Sequence, residues 1–201
     1  MQLILIRHPQ PDVAPGICYG RTDLAVAPAQ LELALAALLP TLPSGLPVYA
    51  SPLLRCAALA AQLSPHPVYD ARLVEMDFGT WEMQPWDAIP RAGVDAWAAD
   101  LANYRPGGGE SVLHMAQRIA AFYTDLQRQL DNDSGEGQAI VICHAGAMRL
   151  LSACHAGLAP LAMALHAASA PHHLPYGAAL ILPYRGGQPI PPPPHPAREP
   201  L

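Results

Sequence analysis

The chain has 201 residues, 51% hydrophobic and 13% charged, a balance that suits one folded domain with a sizeable core and excludes intrinsic disorder. Its formal net charge is −5, with no long basic block and 6% aromatic residues, which argues against nucleic acid as the main partner. An acidic protein can still bind an anion where its few arginines converge.

The chain alternates strand and helix signals, the pattern of an α/β domain. Leu3–Ile6 reads as the first strand, a short apolar run closed by Arg7 and His8. Residues 9–27 carry Pro9, Pro11, Pro15 and Gly16 and form a long loop. Pro28 suits the first turn of a helix through about Leu39. Val48–Ala50 is a short strand, and Ser51-Pro52 follows as cap and first residue of a helix through about Leu63. Val68-Tyr69 is a small strand. The segment from Leu73 to Tyr104 holds all three Trp and reads as loop plus short helices, an insertion placed to roof a pocket. Gly107-Gly108-Gly109 then breaks the chain. Beyond it Val112, Met115, Ile119, Phe122, Leu126 and Leu130 recur at helical spacing. Asn132 to Gly137 is a turn, Ala139–Cys143 a strand, Ala145 to about His155 a helix, and Ala178–Leu182 a last strand. There is no internal repeat and no second domain.

These elements predict a single α/β domain over 1–185, a mainly parallel sheet sandwiched by helices. The residues from Gly186 onward, with Pro191-Pro192-Pro193-Pro194, form an extended Pro-rich tail over 186–201. No apolar run is long enough to cross a bilayer, and the N-terminus lacks the basic start and small-residue cleavage site of a signal peptide. A cytoplasmic location without a membrane partner is the expectation. Cys18, Cys56, Cys143 and Cys154 form no CxxC pair and read as small buried hydrophobes in a reducing compartment.

The chemistry sits at strand exits. Ligands in open α/β sheets gather at the carboxyl ends of the strands, and two strands here each deliver a His to that edge, His8 beside Arg7, and His144. Arg55 falls in the first turn of the helix after Ser51-Pro52, where backbone amides and the helix dipole favour an anion and a guanidinium adds a planar fork for phosphate oxygens. His155, His166, His172 and His173 show no zinc-site spacing and read as structural or exposed. Gly107-Gly108-Gly109 lacks the Lys-Ser/Thr of a nucleotide phosphate loop. It leads into the helix instead, with Glu110-Ser111 in reach of the surroundings of the site.

Six stretches resemble, in order, the motifs of the histidine phosphatase (phosphoglycerate mutase-like) family. They are Leu3-Ile4-Leu5-Ile6-Arg7-His8, Tyr19-Gly20-Arg21-Thr22-Asp23-Leu24, Ser51-Pro52-Leu53-Leu54-Arg55, Leu73 through Glu82, Pro106 through Ser111, and Cys143-His144-Ala145-Gly146. The resemblance implies a three-layer, phosphoglycerate mutase-like sandwich and a phosphomonoesterase without metal or cofactor. His8 would be the nucleophile, forming a phosphohistidine that water hydrolyses. Arg7 and Arg55 would hold the phosphoryl oxygens, and His144 would donate to one of them. Glu75 would protonate the leaving alkoxide and then activate water, with Asp77 and Glu82 as rival carboxylates. Substrate contacts are implied for Arg7, Arg55, Gly20, Arg21 and Ala145. The partner implied is a small phosphorylated substrate, and a homodimer stays open.

The chain departs from the family at Pro9 and Ala145, where the family carries Gly, and at Ala14, where it carries an Asn that touches the phosphoryl group. Within the family, the stretch Cys18 through Asp23 and the Trp-bearing segments are most similar to the branch acting on α-ribazole 5′-phosphate in assembly of the cobalamin lower ligand. A broad small-molecule or sugar phosphatase and a catalytically silent phosphate-binding protein are the alternatives.

Overall fold

A computed structural model describes residues 1–132, 137–169 and 174–184. The elements run β1 (Gln2–Arg7), α1 (Pro28–Leu38), β2 (Val48–Ala50), α2 (Leu54–Leu63), β3 (Val68–Tyr69), α3 (Arg91–Ala99), α4 (Val112–Asn132), β4 (Gln138–Cys143), α5 (Ala145–His155), α6 (Pro160–Ser169) and β5 (Ala179–Leu182). Single turns of 3-10 helix at Ala71–Leu73, Gly79–Trp81, Trp86–Ala88 and Pro106–Gly108 punctuate the connections.

The five strands lie in the order β3-β2-β4-β1-β5, the first four parallel and β5 antiparallel against β1. Alternation of side chains across the pleat divides the core in two. Leu3, Leu5, Ala139, Val141 and Cys143 face one way, onto the buried sides of α4, α5 and α6. Ile4, Ile6, Ile140 and Ile142 face the other, onto Leu38 of α1 and Cys56, Leu59 and Ala60 of α2. Each fully buried Leu or Ile here contributes about 1.5–3 kcal/mol. This is the α/β sandwich expected, with helices on both faces of a mainly parallel sheet.

A third, smaller cluster forms the roof: Cys18, Trp81 and Ile89 with Phe78, Val94, Trp97 and Tyr104. Its aromatic rings meet edge to face, Phe78 with Trp97 at 5.8 Å and Trp81 with Trp97 at 6.1 Å. The glycines of the Gly107 turn have a specific use there. Gly79 and Gly107 both adopt positive φ, and their backbones touch so closely that a Cβ on either would run into the other strand of the loop.

Two expectations need correction. Ser51 does not cap α2: the helix starts at Leu54, and its first amide is capped across the fold by Asp23 Oδ1 at 2.7 Å. Helix α6, which the sequence pattern did not predict, packs on α4 and α5 through Met163, Ala164 and Ala167. Its stretch Pro160-Leu161-Ala162-Met163-Ala164-Leu165 is apolar all round, so no polar face marks its period. The rest of the predicted Asn132–Gly137 turn, the pair His172-His173 and the tail 186–201 fall wholly or mostly outside the described residues. Among the described residues no helix is long and apolar enough to cross a membrane.

Candidate active site

Register brings the two histidines together. Arg7 of β1 pairs with Cys143 of β4, so the next residue of each strand, His8 and His144, leaves the sheet at the same level. The His8 amide donates to the Cys143 carbonyl at 3.0 Å, and the two rings lie 5.1 Å apart. On the other side of β4, Ala50 pairs with Ile142, which places Ser51 beside His144. Three neighbouring strand ends thus form one buried edge.

Hydrogen bonding decides where the His8 proton sits. Its Nδ1 lies 2.7 Å from the Pro9 carbonyl, which can only accept. Nδ1 therefore carries the hydrogen, and the lone pair is on Nε2. Burial, joined by the charges of Arg55 and Arg7 and only partly opposed by the Pro9 bond, pushes the imidazole from its ordinary 6.5 down to about 3. A neutral ring with a free Nε2 lone pair is what nucleophilic attack needs. Pro9, a departure from the family pattern, supplies the carbonyl that orients it.

Two arginines flank this ring. Arg7 donates from Nη1 to the Leu174 carbonyl at 2.6 Å and stacks 3.9 Å from the centre of the Tyr176 ring. Its buried Nε has no partner among the described residues. Arg55 is fully buried on α2. It donates from Nε to His144 Nδ1 at 3.3 Å, from Nη1 to the Thr22 carbonyl at 2.7 Å and from Nη2 to the Gly20 carbonyl. Its Nη1 and Nη2 each keep a further N–H. Among the described residues neither arginine forms an ion pair with a carboxylate. Uncompensated buried guanidinium is costly, and an anion between the two offsets that cost. Tyr19 and Tyr176 bridge over the pair through their hydroxyls, 2.7 Å apart.

His144 is engaged on both nitrogens. Nδ1 accepts from Arg55 and Nε2 donates to Ser51 Oγ at 2.9 Å, so the implied bond to a phosphate oxygen has no idle ring nitrogen. Burial first, then the nearby charges of His8, Arg55, Arg118 and Arg7, hold the ring well below its ordinary value. In this arrangement His144 orients Arg55, and the Arg55 Nε–H, which can only donate, fixes the tautomer that lets Nε2 donate to Ser51.

Of the three rival carboxylates, only Glu75 lines the cavity. It accepts from the Gly146 amide at 2.9 Å, at the N-terminus of α5, and from its neighbour Met76 at 3.0 Å. A Cβ on Gly146 would run into Glu75 Oε1. Glu82 is a clamp for the Gly20–Thr22 loop, accepting from the amides of Gly20, Arg21, Thr22 and Phe78 and from the Thr22 hydroxyl. Although burial works the other way, these bonds, the Thr22 hydroxyl foremost, hold its carboxyl below the usual range. Asp77 accepts from Gly79 and faces Arg21.

Arg118 of α4 carries the Glu75 segment from behind. Its Nη1 donates to the carbonyls of Arg72 and Val74, both at 2.6 Å, and its Nη2 reaches that of Glu75 at 3.3 Å. A two-pronged pair with Glu110 at 2.8 and 2.7 Å fixes the guanidinium.

The residues that line one cavity of about 610 Å³ include Arg7, His8, Arg55, Glu75, His144 and Ala145. Gly20 and Arg21, expected at the substrate, are not brought in. Gly20 serves Arg55 through its carbonyl, and the Arg21 side chain points outward toward Asp77, because Glu82 holds the backbone of this loop. Ala14 is exposed and away from the cavity. Ser51, Tyr176 and Arg118 were not foreseen. The Ser-Pro at a strand exit was a signal for the first, and the other two carry none in sequence. The cysteines are buried, with burial pushing the Cys18 thiol up to about 12 and raising those of Cys56 and Cys143 well above the ordinary thiol range. His155 bonds Tyr123 and the Pro183 carbonyl, a structural role. Among the described residues no group of His, Cys, Asp and Glu is arranged to hold a metal ion.

No curated protein matches the sequence. Among solved structures, mycobacterial glucosyl-3-phosphoglycerate phosphatase is similar at 25% identity and a TM-score of 0.68, over 82% of this chain and 83% of that one. A protein described as mycobacterial hydrolase 1 is similar at 23% identity and a TM-score of 0.73, over 90% and 87% of the two chains. A Thermus thermophilus protein, TTHB049, is similar at 24% identity and a TM-score of 0.66, over 92% and 94%. The last two likenesses concern the fold. Residues 3–182 match the histidine phosphatase superfamily (branch 1), and with the histidines at one buried strand edge this chain belongs to that superfamily.

Proposed function

We propose that the protein is a phosphomonoesterase that hydrolyses a small phosphate ester through a phosphohistidine on His8. The observation that carries this is the neutral, oriented His8 imidazole set between two arginines with no carboxylate partner. Nε2 attacks phosphorus, the P–O bond to the alcohol breaks, and Glu75 as the acid gives its proton to the leaving oxygen. Water then attacks the phosphohistidine, Glu75 takes its proton, the N–P bond breaks, and phosphate leaves. Arg7 and Arg55 bind the phosphoryl oxygens and offset their charge throughout. His144 keeps Arg55 aimed. Family membership and the phosphatase named among the structural neighbours support the class of reaction.

The finer proposal for the substrate is α-ribazole 5′-phosphate, in assembly of the cobalamin lower ligand in the cytoplasm. Its support is the similarity of the stretch Cys18 through Asp23 and of the Trp-bearing roof. The catalytically silent alternative rested on Pro9 and Ala14; at Pro9 the backbone carbonyl, which proline keeps, still orients His8.

The test is mass spectrometry of protein quenched in alkali after brief exposure to α-ribazole 5′-phosphate, with phosphate release followed in parallel. The expected result is release together with a phosphoryl adduct on His8, both lost in His8→Ala. Full activity in His8→Ala would remove the proposed nucleophile. Turnover of other phosphate esters but not of this one would discard the substrate and keep the reaction.

A further inference from the structure

The cavity is chemically divided. At one end stand His8, Arg7, Arg55 and Glu75; the wall that runs away from them is built from Phe78, Trp86, Val94, Trp97, Leu101 and Met115. We infer that this wall is the seat of the ester's alcohol half, and that the substrate class is a phosphate monoester whose alcohol carries an apolar ring system. The inference rests on the phosphatase reading and deepens it by deriving the class of leaving group from the cavity lining, independently of the motif similarity behind the ribazole proposal.

Three observations carry it. First, the wall joins the phosphate end within one cavity, so a single ester spans both: anion at the arginines, alcohol against the roof. Second, its aromatic side chains are rigidly braced. Phe78 meets Trp86 edge to face at 5.9 Å and Trp97 at 5.8 Å. Such two-torsion anchors offer contact area at low entropic cost. Third, Trp86 and Leu101 keep 42% and 38% of their surface uncovered although the roof has its own core to join. Large apolar side chains left open at the mouth of a pocket mark a contact surface.

Polar partners on this wall are few. Tyr19 and Tyr176 bond each other, and beyond Arg7 and Arg55 the cation on the lining among the described residues is Arg149, which is itself engaged. A polyol or glycerate alcohol, with a hydroxyl or carboxylate on most carbons, would lose water there without matching groups. A ring loses nothing and removes apolar surface from water.

The experiment compares 2-naphthylmethyl phosphate with methyl phosphate and glycerol 3-phosphate. All three are alkyl esters with alcohols of similar basicity, so the chemical step does not bias the comparison. The expected result is a kcat/KM for the naphthylmethyl ester about 50-fold above either of the others, from the apolar area covered. In Leu101→Asp and in Trp86→Ala, both at exposed positions where folding is not at stake, that ratio should fall about tenfold. In parallel, calorimetry compares binding of naphthylmethylphosphonate and methylphosphonate, which needs no turnover. Discrimination below about threefold, or preference for glycerol 3-phosphate, overturns the inference and leaves the phosphatase reading standing. Tight binding of the ring phosphonate with no hydrolysis of any ester keeps the apolar seat and overturns the phosphatase reading. Weak, equal binding and no hydrolysis overturn both.

Discussion

The strand edge and the roof meet at the same cavity but are built in opposite ways. At the strand edge, His8, Ser51 and His144 follow directly from paired β-strands, so ladder hydrogen bonds set their spacing and buried Ile and Leu lock it. In the roof, between Leu73 and Tyr104, no ladder runs. Position there comes from its own small apolar cluster and from single clamps: Glu82 on the amides of residues 20–22, Arg118 on the carbonyls of Arg72, Val74 and Glu75, and the close Gly79–Gly107 backbone contact. On the proposed reading, the chemistry that must not move is placed on the sheet, and the proposed seat of the leaving group is placed where a few substitutions can reshape it. Glu75 is the exception, a catalytic group that belongs to the clamped half.

That exception gives the sharpest test of the division. Glu75→Gln should lower kcat/KM, which reports formation of the phosphohistidine and not its hydrolysis, about 100- to 1,000-fold on alkyl phosphates, because the alkoxide leaves without a proton. On an aryl phosphate, whose phenolate needs little help, the loss should be under about tenfold. Equal losses on both would mean that Glu75 is not the acid.

The strand edge should show itself in stability. His8 stays neutral in the fold down to about pH 3 but takes up a proton in the unfolded chain below its ordinary 6.5. The unfolded state therefore binds more protons between those values, and stability falls as pH falls through that window. Between about pH 7 and about pH 5 the wild type should lose about 2 kcal/mol more than His8→Gln in urea titrations. His144 acts in the same direction and is present in both proteins. Identical losses would place the His8 imidazole in a more solvated setting than its burial indicates.

The clamps predict smaller effects. Arg118→Lys keeps a charge but not the fork that holds three carbonyls and Glu110. The expected outcome is a fall of about 10- to 100-fold in kcat/KM on alkyl phosphates, with little loss in kcat/KM on aryl phosphates. A uniform loss across both ester types would point to general destabilisation instead. Smallest of all, Arg21→Ala should change kcat/KM by less than about threefold, since Arg21 is itself exposed and its partner is a half-buried carboxylate outside the cavity. A loss of about tenfold or more would bring Arg21 back to the substrate.

Much of the strand edge was legible because buried parallel strands announce themselves as short apolar runs, and the residue after such a run must emerge at the sheet's edge. Leu3–Ile6 and Ala139–Cys143 placed His8 and His144 there before any coordinates. Arg55 was legible too, in the first turn of α2, although the cap that starts the helix is Asp23 and not Ser51. The choice among Glu75, Asp77 and Glu82 was open on local sequence, where all three are short-range neighbours of the same turn. Helix α6 escaped for a simpler reason: its first turns are apolar on the buried and the exposed face alike, so they show no period.

The amino-acid sequence by itself determined the order of the elements other than α6, the two histidines at the strand edge and the family, because these depend on runs and motifs a few residues long. The tertiary structure alone decided which carboxylate faces the cavity, which nitrogen of His8 is free and what Arg21 does. The first and last depend on partners brought from far along the chain: the Gly146 amide for Glu75, the Arg118 guanidinium behind it, and the Glu82 carboxylate that turns Arg21 outward; the free nitrogen of His8 depends on the neighbouring Pro9 carbonyl, which the folded backbone turns onto the ring. A hydrogen bond needs two groups within about 3 Å, and only the folded register brings such pairs together.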